Sequence, residues 1–179
     1  MKDSWYDTAQ ICINGHVGNW MSISKPENNR GFCYKCGAPT ITNCQYCNTM
    51  IRGYYHESSL TQEKLDRMVL EALTPPPKTI LDYATLPSFC PDCGKPYPWT
   101  EAKLKAAQEL SDELDNLSSE ERNLLKKSLD DIVRDTPQTT VAATRFKKLV
   151  AKAGKVAADG FRDILVDVLS EAAKKIIWP

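Results

Sequence analysis

The 179-residue chain lacks an excess of charge of either sign, because 23 Lys and Arg residues balance 23 Asp and Glu residues. The balance also holds by region, since residues 1–98 contain nine basic and nine acidic side chains. Proteins dedicated to nucleic acid usually concentrate Lys and Arg on one face to neutralise phosphates. A protein dedicated to binding polyanions is therefore not favoured.

Long hydrophobic runs are also missing. No apolar stretch approaches the ~18 residues that a membrane span needs, and residues 1–7 contain no apolar core of a signal peptide. The seven cysteines are an odd number, so a disulfide framework would leave one thiol unpaired. In a reducing compartment, clustered cysteines are more often metal ligands. We therefore expect a cytoplasmic protein without a transmembrane segment, whose cysteines bind metal.

Composition changes near Trp99. All seven cysteines and nine of the eleven prolines precede it, which favours short strands and turns. Ala, Leu, Lys and Glu become frequent after it, and these residues favour helix. We predict one domain over residues 1–98, with an inserted helix at 59–73 that a proline run ends, and a helical domain over 99–179.

Capping signals divide the second domain into about four helices. Thr100 is placed to cap the first, and Ser118 with Glu121 forms a capping box for the second. Pro137 suits the first position of the third helix, and the fourth begins near Gly160. Their apolar residues recur at three- and four-residue spacing, which predicts a bundle.

The last predicted helix has an apolar stripe longer than four turns. Additional apolar residues lie beside the stripe, and large exposed apolar surfaces usually mark interfaces. We expect this helix to support homo-oligomer formation, unless the other helices cover it within one chain. The stripe consists of Phe161, Ile164, Leu165, Val168, Leu169, Ala172 and Ile176.

The cysteines occur in pairs with metal-ligand spacing. Three pairs have the form C-x-x-C, in which a tight turn points two sulfurs at one metal, and the fourth pairs a cysteine with a histidine. Zinc takes four such ligands in a tetrahedron, so eight ligands make two structural zinc sites with no cysteine left over. His56 has no paired cysteine and is expected to be a satisfied or exposed histidine. The predicted ligands are Cys12, His16, Cys33, Cys36, Cys44, Cys47, Cys90 and Cys93.

An internal repeat suggests how these pairs combine. The phrase F-C-x-x-C-G-x-P occurs at residues 32–39 and again at 89–96, and each copy follows another ligand pair. Repetition favours one structural unit used twice, and therefore two tandem sites. Cys12, His16, Cys33 and Cys36 would form the first site, and the other four cysteines the second. A nested pairing, which joins 33/36 to 44/47, and a cross-braced pairing remain open.

These motifs resemble the double zinc ribbon. Together with Asn14–Val17, Ile51–His56 and Pro98–Glu101, they are similar to a bacterial family of zinc-ribbon proteins of unknown function, over residues 9–101. The resemblance implies zinc binding and a bacterial cytoplasmic setting, and it implies no reaction. The histidine at the first ligand pair departs from the usual all-cysteine ribbon. The predicted fold class is small α+β, with tandem zinc ribbons and short β-hairpins followed by an α-helical bundle.

Catalysis is not expected. Four protein ligands leave a zinc ion no open position for water, and no thiol remains as a nucleophile. We predict a non-catalytic zinc-binding adaptor or regulator that docks an unidentified protein partner. The alternative is a nucleic-acid-binding regulator. It would use ribbon aromatics for stacking and the basic segment 136–158, which contains five Lys and Arg residues and no acidic residue.

Overall fold

The structure is a computed structural model that describes residues 4–56 and 86–178. The chain divides into two compact units. Unit 1 contains the described part of residues 1–85 together with Cys90–Lys95, and unit 2 contains Leu86–Phe89 and the chain from Pro96 onward. The predicted helix at 59–73 lies outside the described residues, and the predicted boundary after residue 98 stays a prediction.

Unit 1 contains two small antiparallel sheets. Strands β1 (Trp5–Thr8) and β5 (Arg52–His56) form one of them, with Trp5 opposite His56 and Tyr6 opposite Tyr55. Strands β2 (Gln10–Cys12), β3 (Val17–Asn19) and β4 (Thr40–Ile41) form the other, in the order β3-β2-β4. A single 3₁₀ turn, Pro26–Asn28, follows β3.

Two backbone segments of unit 1, at Trp20 and at Gly53–Tyr54, lie very close together. The amide of Tyr54 donates a 2.9 Å hydrogen bond to the carbonyl oxygen of Trp20. A Cβ atom at the preceding residue, Gly53, would lie 2.2 Å from that same oxygen, so only glycine fits there. Ile11 and Ile51 are fully buried, and each lies close in sequence to a ligand pair. Ile11 precedes Cys12, and Ile51 follows the Cys44–Cys47 pair.

Five α-helices occur in the described part of unit 2. They share a core of eighteen buried apolar residues, in which the rings of Phe146 and Phe161 meet edge to face at 5.2 Å. Small α+β architecture is thereby confirmed: short antiparallel strands come first and helices follow. The helices are α1 (Pro98–Asp112), α2 (Ser119–Ile132), α3 (Thr139–Ala153), α4 (Lys155–Leu165) and α5 (Glu171–Ile177).

One predicted helix start is confirmed and two are wrong. Ser118 and Glu121 form the complete capping box of α2. Helix α1 begins at Pro98, because the hydroxyl of Thr100 donates to the carbonyl of Ser88 (2.9 Å) instead of capping. Helix α3 begins at Thr139 rather than at Pro137, because the Thr139 side chain accepts the amide of Thr136 (2.9 Å) and holds the connecting loop.

The single long C-terminal helix of the prediction is also wrong. The amide of Ser170 donates to the carbonyl of Ile132 (3.1 Å), which takes it out of any continuing helix. The Ser170 side chain then accepts the amide of Ala173 and caps α5. Phe161, Leu165, Val168 and Leu169 of the predicted stripe are all buried in the core of unit 2. Much of the stripe is therefore covered within unit 2, and self-association through it stays a prediction.

No helix among the described residues has the length and apolar character required to cross a membrane.

Candidate metal centres

Each C-x-x-C pair lies in a turn of the same backbone geometry, known as a knuckle. The residue after the second cysteine has a left-handed conformation in all three, with φ of 70° at Gly37, 61° at Asn48 and 68° at Gly94. Its amide donates to the carbonyl of the first cysteine at 2.8–2.9 Å. The glycine of the repeated phrase suits this position, because glycine adopts a positive φ without steric cost. Asparagine tolerates the same conformation, which explains how Asn48 takes this position after Cys47.

Each knuckle is also closed as a miniature hairpin. The amide of its first cysteine donates to a carbonyl five residues later, with N···O distances of 2.8 Å for Cys33 to Ala38, 2.8 Å for Cys44 to Thr49 and 2.9 Å for Cys90 to Lys95. This bond turns the chain so that both sulfurs point to one side. The C-x-x-C spacing thus places two ligands together before any long-range contact forms.

The fourth ligand pair lies in a different turn. Cys12 ends β2, and its amide donates to the carbonyl of His16 (2.9 Å). Gly15 has φ of 89° and allows the reversal. The amide of His16 donates to Sγ of Cys12 (3.2 Å), and the histidine Nδ1 lies 3.5 Å from the same sulfur. The hairpin between β2 and β3 therefore supplies one thiol and one imidazole to a common point.

Cluster one consists of Cys12, His16, Cys33 and Cys36, whose ligand atoms all lie within 4.8 Å of one another. Nδ1 of His16 is 3.3 Å from Sγ of Cys36 and 3.6 Å from Sγ of Cys33. The sulfurs of Cys12 and Cys36 are 3.8 Å apart. Cys12 and Cys33 are buried, whereas Cys36 is exposed.

Cluster two consists of Cys44, Cys47, Cys90 and Cys93, again within 4.8 Å of one another. The sulfurs of Cys44 and Cys93 are 3.8 Å apart, and those of Cys47 and Cys90 are 3.6 Å apart. In each knuckle the first cysteine is buried and the second is exposed.

These separations match the edges of a zinc-centred tetrahedron. Zn–S bonds of about 2.3 Å place two sulfurs about 3.8 Å apart, and a Zn–N bond of about 2.05 Å places sulfur and nitrogen about 3.6 Å apart. A disulfide would bring two sulfurs to about 2.05 Å, far shorter than the separations of 3.6–3.8 Å between the sulfur pairs of the two clusters. Each cluster could therefore hold one four-coordinate metal ion.

The tandem grouping of the ligand pairs is confirmed. The structure brings each predicted ligand into the cluster to which the tandem arrangement assigns it. The nested and cross-braced pairings are wrong. The physical reason is the pairing of β2 with β4, which places Cys12 opposite Thr40 and so brings the Cys33–Cys36 knuckle to the Cys12–His16 turn.

Hydrogen bonds from nearby groups lower the pKa values of the thiols, whereas repulsion between neighbouring sulfurs can raise them. The Ala38 amide, followed by the Asn14 side chain, lowers the pKa of Cys36 to about 6. The Thr49 side chain and amide lower the pKa of Cys47 to about 6. The Lys95 amide also lowers the pKa of Cys93, but burial and the neighbouring sulfurs outweigh it and raise that pKa to about 12. A divalent cation would relieve this repulsion and allow all four sulfurs of cluster two to ionise.

Two polar contacts around the clusters were not predicted from the sequence. Nδ2 of Asn14 donates to Sγ of Cys36 (3.5 Å). The hydroxyl of Thr49 donates to Oδ2 of Asp92 (2.7 Å), between the two knuckles of cluster two. The hydroxyl oxygen of Thr49 also lies 3.4 Å from Sγ of Cys47. Such outer contacts orient the ligands of metal sites. The sequence signal that was missed is the presence of Asn, Asp and Thr residues within two positions of the predicted ligand cysteines.

His56 is not a metal ligand in this arrangement. Its Nε2 lies 3.1 Å from Oδ2 of Asp7 and 3.3 Å from Oγ of Ser24, and its ring stacks on Trp5 at 4.5 Å. The prediction of a satisfied histidine is confirmed. The serine and the aspartate approach the same ring nitrogen. A nucleophile–base–carboxylate relay requires them on opposite nitrogens, so this trio lacks the geometry of a catalytic triad.

The fold and the two clusters together define the class of protein: it is a small α+β protein with two four-ligand clusters, arranged as in tandem zinc ribbons. The chain belongs to the bacterial family described as "Uncharacterized protein conserved in bacteria (DUF2321)", which matches residues 5–71 and 74–177. The match includes residues of both units. No curated protein and no solved structure matches the chain.

Proposed function

We propose that the protein binds two structural zinc ions and acts as a non-catalytic interaction adaptor or regulator. The observation that carries the proposal is the composition of the clusters, each of which offers four protein ligands at tetrahedral spacing. A zinc ion held in this way has no position left for water or substrate, in contrast to catalytic zinc with three protein ligands. The proposal assigns the metal to folding and recognition, and locates the protein in the reducing bacterial cytoplasm.

The donor set supports zinc over other cations. Thiolate with imidazole is a combination that suits zinc, whereas magnesium and calcium require oxygen ligands. Tetrahedral S₄ coordination also suits a single iron ion, so cluster two alone does not discriminate. Cluster one does, because its histidine nitrogen makes a Cys₃His site of the structural zinc type.

Exposed apolar side chains on unit 1 support an interaction role. Contiguous exposed apolar surface usually marks a contact with a partner, and aromatic side chains and methionine are enriched at interfaces. Two of them, Phe32 and Tyr34, lie beside or within the Cys33–Cys36 knuckle and are 69% and 82% exposed. The others are Tyr6, Ile23, Tyr46, Met50, Tyr54 and Tyr55.

The outer face of the β1–β5 sheet shows how these residues are presented. The rings of Tyr6 and Tyr55 lie across the strands with centroids 4.8 Å apart. The guanidinium of Arg52 lies 5.3 Å from the Tyr6 centroid. Strand pairing holds this row, so a partner would meet a pre-arranged aromatic surface at low entropic cost.

The alternative function, nucleic-acid binding, draws on the basic segment 136–158. Two of its five basic side chains make contacts inside unit 2. Nζ of Lys152 forms a 2.6 Å ion pair with Glu121, and Nζ of Lys147 donates to the carbonyl of Ile176 (2.8 Å). Oppositely charged neighbouring helices are thus part of the ordinary packing of the bundle. For this reason the adaptor function is preferred.

Quantitative affinity capture from the bacterial host tests the proposal. We expect a reproducible protein partner that the zinc-loaded wild type retains and a Tyr34→Ala, Tyr46→Ala double variant loses. The matched control is Val156→Ala, which removes an 89% exposed apolar side chain from unit 2. Capture of nucleic acid instead, with affinity that falls steeply with salt, would favour the alternative. If the double variant and the control recover the same amount of partner, Tyr34 and Tyr46 are not part of the proposed surface.

A further inference from the structure

The two halves of cluster one are joined by the protein backbone. Strand β2, which ends at Cys12, pairs with β4, and the amide of Ile13 donates to the carbonyl of Pro39 (3.1 Å). Pro39 closes the knuckle that carries Cys33 and Cys36, through its bridge to Phe32. The first ligand pair is therefore joined to the second by sheet hydrogen bonds, in addition to any metal that the four ligands share.

The two halves of cluster two are joined differently. Among residues 4–56 and 86–178, no strand pairing or backbone hydrogen bond connects the knuckle around Cys44 and Cys47 with Cys90–Lys95. The contacts described between them are the sulfur pairs and the Thr49–Asp92 hydrogen bond. Each knuckle has its own backbone hydrogen bonds. The association between the two knuckles depends on side-chain contacts and on a metal ion bound by the four sulfurs.

Chain connectivity adds to this difference. Sixteen residues separate His16 from Cys33 in cluster one, whereas 42 residues separate Cys47 from Cys90 in cluster two. The probability of loop closure falls as the three-halves power of loop length, so this ratio alone makes closure of cluster two about fourfold less probable. The Cys90–Lys95 knuckle is also flanked along the chain, on both sides, by segments that belong to unit 2.

We propose that cluster one is pre-organised by strand pairing and binds its metal tightly, whereas cluster two is assembled by its metal and is the exchangeable site. Thr49 and Asp92 act as the positioning pair that partly pre-orients the knuckles of cluster two. Occupancy of cluster two then controls whether Cys90–Lys95 stays joined to the Cys44–Met50 knuckle. The inference rests on the proposed zinc binding and adds a metal-dependent switch to it.

Site-resolved alkylation of the zinc-loaded full-length chain tests the order of release. EDTA is added until half of the zinc is removed, iodoacetamide labels the freed thiols, and mass spectrometry maps them. Cys36 and Cys47 give a matched comparison, because both are exposed second cysteines of a C-x-x-C pair and both have a pKa lowered to about 6. We expect Cys47 to be labelled at least tenfold faster than Cys36 at this point.

Equal labelling, or earlier labelling of Cys36, would overturn the proposed order of release. A chain that carries no zinc before EDTA is added would refute the proposed function itself, so the two failures are distinguishable.

A second arm tests the positioning pair. Thr49→Val removes the hydroxyl and keeps the shape of the side chain, and we expect cluster two to release zinc at about tenfold lower EDTA, as is typical for loss of an outer hydrogen bond. Cluster one should be unaffected. Thr42→Val is the control, since that hydroxyl donates to Asn43 (2.7 Å) and not to Asp92. No shift in the Thr49 variant, or an equal shift of both clusters, would contradict the assignment.

Discussion

Nε2 of His56 lies 3.1 Å from Oδ2 of Asp7, which joins the last residue of β5 to a carboxylate on β1 whose side chain is fully buried. Asp7 also accepts the backbone amides of Thr8 (2.7 Å), Ile23 (2.9 Å) and Ser24 (3.2 Å). The carboxylate thus connects both strands of the sheet to the segment that follows β3. No metal ligand takes part in this connection.

Asp7→Asn should destabilise unit 1 by about 2 kcal/mol at neutral pH. Burial raises the pKa of Asp7, but hydrogen bonds from the Ser24 side chain, the Ile23 amide and His56 outweigh it and lower the pKa from 3.8 to about 2. A shift of this size corresponds to about 2 kcal/mol in favour of the ionised form. Urea unfolding of the zinc-loaded proteins at pH 7 measures the difference.

The same substitution has a defined pH dependence. Because the folded-state pKa is depressed, the stabilisation is complete above about pH 4 and disappears as the pH falls towards 2. Acid also releases zinc from thiolate ligands, so wild type and Asp7→Asn are compared between pH 5 and pH 8, where the stability difference should have its full size. Glu27→Gln, which changes an exposed acid of unit 1, is the control and should show no comparable difference. A difference below about 1 kcal/mol throughout this range would contradict the role of the Asp7 charge.

Complete metal removal should unfold unit 1 and leave unit 2 helical. Small ribbons take their folding free energy from the metal, whereas unit 2 has eighteen buried apolar residues and no cluster cysteine. Elemental analysis should give two zinc ions per chain before excess EDTA is added. Circular dichroism should then retain the helical signal after metal removal, while the near-ultraviolet signal of unit 1 disappears. Loss of the helical signal would show that the bundle depends on metal.

Leu165→Ala should lower stability without changing the state of association. Leu165 is fully buried in the core of unit 2, and truncation of such a side chain costs about 2–5 kcal/mol. Val166→Ala is the matched neighbour, because Val166 is 38% exposed and should cost less than about 1 kcal/mol. Thermal unfolding measures the first effect and sedimentation velocity the second. If the wild type is an oligomer and the Leu165 variant dissociates it, the apolar stripe would be part of an interface between chains.

Ser118→Ala should destabilise unit 2 by about 1 kcal/mol, the usual effect of removing an N-cap side chain. Oγ of Ser118 accepts the amide of Glu121 (3.2 Å), and Oε2 of Glu121 accepts the amide of Ser118 (2.9 Å). Ser119→Ala, one residue into α2, lacks these bonds and should change stability by less than about 0.5 kcal/mol. Chemical denaturation of both variants checks the difference, and equal effects would show that the box contributes nothing to the bundle.

The sequence by itself determined the ligands and their local geometry. A C-x-x-C pair followed by a residue that tolerates positive φ closes a knuckle within six residues, through bonds such as that from the Cys33 amide to the Ala38 carbonyl. The count of eight ligands follows from the same pairs, and the capping box at Ser118 is equally local. Interactions across three to five residues are short enough for spacing alone to specify them.

Only the tertiary structure decided how the knuckles combine and where several helices begin. The tandem grouping depends on the pairing of β2 with β4, which joins residues about thirty positions apart. The end of α4 depends on the bond from the Ser170 amide to the Ile132 carbonyl, and the start of α1 on the bond from Thr100 to Ser88. At both helix boundaries a distant backbone carbonyl accepts the hydrogen bond, so the boundary depends on a contact that local spacing does not specify. The internal repeat favoured the tandem grouping, but the nested and cross-braced pairings were excluded only by which segments pack together.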